Sequence, residues 1–174
     1  MKIYTKTGDG GDTSLFTGER IAKESPRVGT YGTLDEANSA LALARAFSKV
    51  PEIRAKILEL QKLMPKLMAD LASLEKPALI TAADVAQLES DMDALDSNLP
   101  PLRNFVIPGD TQAGAFLDLA RTTVRRAERE FYKLSRFEAV HEIDGVFLNR
   151  LSDLCFLLMR TEDFLAAKRA AVLV

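Results

Sequence analysis

The sequence predicts an all-α chain, a bundle of long helices behind a non-helical N-terminal loop, and three observations carry that prediction. From about residue 26 onward, apolar residues recur at spacings of three and four, the period of helices with one buried face. The segments between these runs are short, which favours antiparallel neighbours. Residues 1–25, by contrast, are rich in Gly, Thr, Asp and Lys with little helical periodicity, and read as an ordered loop or short extended segment.

The first helix has two candidate starts: Ser25 capping a helix that opens on Pro26, or a capping box of Thr33 with Glu36. It ends near Ser48, because Pro51 follows. A second helix runs from about Glu52 to Leu74, with Leu60, Leu63, Leu67 and Leu71 on one face, and Pro65 is expected to kink or divide it. A third spans about Ala82 to Leu95, where Val85, Leu88, Met92 and Leu95 are spaced as in a heptad. The segment NLPPLRNFVIPGD is a connector, since its prolines leave extended backbone. Helix four runs from about Thr111 to Leu134 and helix five from about Gly145 to Ala167. No internal repeat or linker interrupts the pattern, so a single domain over residues 1–174 is expected, with the loop in 1–25 and the bundle in 26–168.

With 174 residues and 47% hydrophobic content, the chain is long enough to bury one substantial core. Its 23 basic and 25 acidic residues nearly cancel, so no global field draws it to nucleic acid or an anionic membrane, and any anion site has to be local. No apolar stretch reaches the ~20 residues a membrane span needs. The lone Cys155 cannot form an internal disulfide and Met1 opens no signal peptide, which together favour a reducing cytoplasm. His141 is the only histidine, so a zinc helix built on paired histidines is excluded, and Cys155, in an apolar stretch, reads as a small core residue.

Three segments carry chemistry. In TKTGDGGDTSLFTGERIAK, Gly8, Gly10 and Gly11 let backbone N–H groups approach an anion, Thr5, Thr7, Thr13 and Ser14 add hydroxyls, and Lys6 and Lys23 add charge. That composition suits a phosphate cradle, though not a Walker A loop or a dinucleotide fingerprint; a solvent-exposed hairpin whose glycines merely turn the chain fits it equally. In helix four, Arg121, Arg125 and Arg129 recur every four residues beside Arg126 and Glu128. A polyphosphate would relieve their mutual repulsion; a solvated basic face is the alternative. In LNRLSDLCFLL of helix five, Asn149 and Asp153 are i, i+4 neighbours, and Asn149 either reads an adenine or sugar edge or crosslinks helices.

Together, KIYTKTGDGGDTSLFTGER, YGTLDEANSALALA, FVIPG, ARTTVRRAERE and LNRLSDLCFLL resemble the signature blocks of the PduO-type ATP:cob(I)alamin (corrinoid) adenosyltransferases, in that family's order and spacing. The resemblance implies a five-helix antiparallel bundle of ferritin-like, cobalamin adenosyltransferase-like architecture. It implies a homotrimer with its sites between subunits. One subunit would hold ATP through Thr5, Lys6, Thr7, Gly8, Thr13, Ser14 and Lys23. The next would supply Arg125, Arg126, Ala127, Glu128, Arg129 and Asn149, with Mg²⁺ on the phosphates. Asp35, Phe105 and Arg121 would serve the corrinoid: Asp35 pairing with Arg121 across or near the subunit boundary, Phe105 covering the lower face of the corrin, and Arg125 joining them as catalytic residues.

The implied reaction moves the 5′-deoxyadenosyl group of ATP to the cobalt of cob(I)alamin or cob(I)inamide and releases triphosphate. A cob(II)alamin reductase and an adenosylcobalamin-dependent acceptor enzyme are the implied partners, with no nucleic acid and no membrane. A binding protein that stores corrinoid without turnover, or a purely structural bundle, are the rival readings. Two positions depart from the pattern: Asp110 follows IPG, and Asp118 stands where a histidine is frequent, three residues before Arg121.

Overall fold

The computed structural model describes residue 4 and residues 6–172. Its elements are a short hairpin, β1 (Asp12–Ser14) and β2 (Arg20–Ala22), then α1 (Pro26–Phe47), α2 (Pro51–Leu71), α3 (Ala82–Asp96), α4 (Gln112–Leu134) and α5 (Glu142–Val172). The predicted five-helix bundle is what forms. Helix α4 packs against α1 and α5, α2 against α1, and α3 along α5. Their apolar faces, including Leu41, Ile57, Leu67, Val124, Phe147 and Leu151, close on one core.

Cross-helix pairs give the directions. Glu36 on α1 meets Arg126 on α4, and Phe47 meets Phe116, so α1 and α4 are antiparallel. Thr111 bonds Asp163 while Asn149 bonds Glu128, so α4 and α5 are antiparallel too. The pairs Glu89–Arg150 and Asp96–Arg160, however, make α3 and α5 parallel. This is the direction that up-down alternation requires, since α4 lies between them in sequence and runs opposite to both; the connector at 97–111 lets α3 pack on α5 rather than on α4.

Local chemistry decides the helix ends. Ser25 caps α1 by accepting from the Val28 N–H with Pro26 at the first position, whereas the Thr33 hydroxyl donates to the Gly29 carbonyl within the helix. Thr81 and Asp84 form a reciprocal capping box at α3. Pro65 does not divide α2: it sits on the exposed side of a continuous helix held by buried Leu60, Met64 and Leu67, whose packing outweighs one missing N–H. The same helix stops at Leu71 rather than Leu74, because the Asp70 carboxylate accepts from the N–H groups of Leu79 and Ile80 and folds the chain back. Buried Arg27 ties this end together, donating to Glu138 at 2.8 Å and to the carbonyls of Leu71 and Ala139, both at 2.9 Å.

Helix α5 starts three residues before the predicted Gly145. Gly145 is a packing residue there, since a Cβ would lie 2.7 Å from Cε1 of Phe131 on α4. Gly145→Ala is therefore expected to destabilise the fold by roughly 1–3 kcal/mol, through ring displacement. Chemical denaturation would check this, and an unchanged midpoint would mean that the ring moves aside freely.

One turn of the same helix holds a second constraint. Asp144 is fully buried, and neither of its carboxyl oxygens has a donor partner among the described residues. Burial first, then the charge of neighbouring Asp70 and a hydrogen bond to it, push the Asp144 pKa up to about 8. The protonated acid donates to Asp70, a role that Asn fills without a proton to lose. In the unfolded chain Asp144 ionises in the ordinary carboxylate range, so as pH rises towards 8 the native state retains a proton that the unfolded state has released. Stability falls across that window and levels off above it. Asp144→Asn should flatten the slope and raise Tm at pH 8 by about 5 °C, the equivalent of ~2 kcal/mol. Thermal scans at pH 5 and pH 8 test this, and equal slopes in wild type and variant would contradict it.

Candidate active site

The N-terminal segment is a hairpin whose cations fold back over its loop. Thr13 pairs with Ile21 across the strands, Lys23 donates to the Gly8 carbonyl at 2.6 Å, and Arg20 donates to the Thr7 carbonyl at 2.8 Å and the Ser14 hydroxyl at 3.3 Å. Lys6 has a left-handed backbone with φ 60°, and its side chain is exposed. Backbone contacts from Phe16 to Ala72, and from Leu74 to the Thr17 hydroxyl, fasten the hairpin to the end of α2. The segment is thus a hairpin whose turns gather hydroxyls and ammonium groups on an exposed surface, a geometry compatible with either sequence reading. Thr5 lies outside the described residues.

Helix α4 divides its charges by direction. Arg126 leans to α1 and pairs with Glu36, and Arg121 pairs with Asp118 on its own helix at 2.8 Å. Glu128 leans to α5, where Asn149 donates to it at 3.1 Å and itself accepts from Arg150 at 2.7 Å. Between them Arg125 and Arg129 are exposed, and among the described residues neither guanidinium has a carboxylate partner; Arg129 donates only to the Arg125 carbonyl, at 3.0 Å. Ala127, although inside the arginine block, is fully buried, so its methyl belongs to the core. Asn149 is half-buried.

Beyond Arg121 the helix forms one wall of a cleft of about 800 Å³, lined by Leu102, Arg103, Phe105, Asp118, Arg121 and Met159 among others. Phe105 projects from the connector with 104% relative exposure, an apolar ring with no cover. Asp35 is exposed on α1, makes no bond to Arg121 within the chain, and does not line the cleft. Cys155 sits in the core, and burial pushes its thiol up to about 12, consistent with the core role read from sequence.

Among the described residues, no hydrogen bond or ion pair joins the hairpin to Arg125, Arg126, Glu128, Arg129 or Asn149. One chain thus presents two separate polar surfaces. Sequence reasoning missed three contributors: Arg20 as a brace of the loop, Glu36 as the Arg126 partner, and Asp118 as the Arg121 partner. Only the last was signalled, by its i, i+3 spacing.

These features define a helical-bundle protein that presents exposed arginines without carboxylate partners among the described residues next to a large, mainly apolar cleft. Residues 3–162 match the family model described as Cobalamin adenosyltransferase. The chain is 44% identical over 168 residues to Corrinoid adenosyltransferase PduO of Citrobacter freundii, covering 94% of this chain and 50% of that protein. It is 39% identical over 167 residues to a second Citrobacter freundii protein, Corrinoid adenosyltransferase, covering 93% and 95%. The chain therefore spans about half the length of the PduO relative and nearly all of the other. Its fold matches a phenylalanine-to-alanine variant of the PduO-type ATP:corrinoid adenosyltransferase from Lactobacillus reuteri, solved with cobalamin and ATP, with TM-score 0.91, 31% identity, and coverage of 95% and 96%. The chain belongs to the cobalamin adenosyltransferase family.

Proposed function

We propose that this protein transfers the 5′-deoxyadenosyl group of ATP to the cobalt of cob(I)alamin or a related cob(I)inamide. One observation carries the reading beyond family membership: on α4, Arg125, a cation with no carboxylate partner among the described residues, stands one turn from Arg121 in the wall of the apolar cleft. A single helix thereby links a polyphosphate surface to a surface for a corrin. The substrate cobalt(I) attacks C5′ of the ribose, the cobalt–carbon bond forms, and the C5′–O bond breaks with its electron pair leaving on triphosphate. No protein nucleophile is needed. The protein positions the two substrates and stabilises charge gathering on the leaving group, which suits arginines, lysines and backbone donors.

Among the described residues, no group of three or more His, Cys, Asp or Glu is placed to hold a metal ion. Mg²⁺ is proposed as a companion of the ATP phosphates, with the loop hydroxyls as further hard oxygen donors. The separation of hairpin from arginines supports a homotrimer in which the loop of one subunit faces the Arg125, Arg129 and Asn149 surface of the next, with Asp35 reaching Arg121 across the same boundary. No helix among the described residues is long and apolar enough to cross a membrane. The proposed setting is the cytoplasm, beside a cob(II)alamin reductase and an adenosylcobalamin-dependent acceptor enzyme. Anaerobic incubation with ATP and chemically reduced cob(I)alamin should give the absorbance change of a new cobalt–carbon bond, and light scattering should give a trimer mass. Tight binding of both substrates without that absorbance change would turn the assignment to a corrinoid carrier.

A further inference from the structure

The cleft wall contains an ion pair of its own, and its geometry is selective. Arg121 donates through Nε alone to Asp118 Oδ1 at 2.8 Å. Both side chains are mostly buried, at 29% and 19% exposure, and both line the cleft beside Phe105. Among the described residues, the two terminal amino groups of Arg121 make no hydrogen bond and Asp118 has no other partner. A guanidinium is a rigid planar fork, so holding its Nε edge fixes the plane and the direction of the remaining N–H groups. The neighbouring Arg125 has no equivalent anchor. Carboxylate and arginine sit three residues apart on one helix, so the brace is present before any ligand or second subunit arrives.

We propose that Asp118 is a positioning residue that pre-orients Arg121 in the cleft, leaving its terminal amino groups directed away from Asp118, where they can meet both the Asp35 carboxylate of the next subunit and acceptor oxygens of the corrinoid, such as its side-chain amide carbonyls. The proposal rests on the adenosyltransferase reading for the identity of the ligand. Asp118 touches neither substrate in this assignment; it acts through Arg121 by removing rotamer freedom that binding would otherwise have to freeze. The consequence is a split between substrates: the corrinoid senses Asp118, and ATP does not.

The test is a double-mutant cycle on the full chain with Asp118→Ala, Asp118→Asn, Arg121→Ala and the Asp118→Ala/Arg121→Ala pair. Two quantities are read: corrinoid affinity, by absorbance titration of cob(II)alamin into ATP-loaded protein, and KM for each substrate in the anaerobic assay. Asp118→Ala should weaken corrinoid about tenfold, with KM for ATP moving less than about twofold, a loss the size of one charge-assisted contact. Asp118→Asn keeps the shape and an acceptor oxygen and should recover part of the loss. In the Arg121→Ala background, Asp118→Ala should add nothing. Unchanged corrinoid affinity, a loss that stays additive with Arg121→Ala, or a parallel rise in KM for ATP would each overturn the assignment. The titration needs no turnover, so a wild-type protein that binds corrinoid but forms no cobalt–carbon bond would defeat the proposed reaction while the affinity cycle still decides the role of Asp118.

Discussion

Arg125→Ala is expected to lower kcat/KM for adenosyl transfer by roughly two to three orders of magnitude and to leave the fold intact, the size seen when one preorganised donor to a developing anion is removed. The guanidinium of Arg125 is exposed and has no carboxylate partner among the described residues, so its removal orphans nothing. Its α4 neighbours Arg121 and Arg129 are like-charged and four residues away on either side, so alanine also relieves a repulsion of a few tenths of a kcal/mol, roughly. The effect on Tm should therefore be near zero or slightly positive. That combination separates a functional cation from a structural one. Arg125→Lys keeps the charge but loses the planar fork, and should fall between wild type and alanine. Steady-state kinetics with both substrates, with thermal scans alongside, decide the matter. Wild-type kcat and KM for ATP in the alanine variant would leave the exposed arginines as a solvated face.

The helices were legible because their signals are local. Leucine spacing in α2, the Ser25–Pro26 start of α1 and the proline at Pro51 act within a turn or two of chain. Where sequence rules misplaced an end, a distant contact had overridden the local preference. Pro65 stays inside α2 because the core holds its flanks, and Gly145, inside α5, serves close packing under the Phe131 ring rather than a helix start. The packing of α3 on α5 rather than on its sequence neighbour α4 could not be read from local signals, because the connector at 97–111 sets it.

For the site, residue types were readable and partnerships were not. The Arg126 partner, Glu36, lies 90 positions away, and only topology brings it near. Asp118 could be read at i, i+3 from Arg121, yet in the sequence it stands out only as a departure from a family pattern. The hairpin and the exposed arginines were both found in the sequence, but one chain does not unite them, which is the physical basis for proposing a shared site.

Phe105→Ala should separate two activities that share every other residue. Its ring has 104% relative exposure, so it contributes essentially nothing to the core, and the substitution should leave Tm within about 1 °C of wild type. A fully exposed phenylalanine has an apolar cost without a folding return, which makes sense if a ligand later covers it. In the proposed reaction that ligand is the lower face of the corrin, where the ring excludes water and any axial base from cobalt without offering an atom that ligates. Loss of the lower ligand makes reduction of cob(II)alamin to cob(I)alamin easier. The requirement ends once cob(I)alamin is supplied ready-made. Phe105→Ala should accordingly lose about 100-fold or more in the assay that starts from cob(II)alamin and a reductant, a barrier change near 3 kcal/mol, while chemically prepared cob(I)alamin is turned over within roughly tenfold of wild type. The absorbance signature of four-coordinate cob(II)alamin on the ATP-loaded protein should fade in the variant in the same proportion. Equal losses in both assays would assign Phe105 to general corrinoid binding, and its exposure would then need no chemistry beyond a hydrophobic contact.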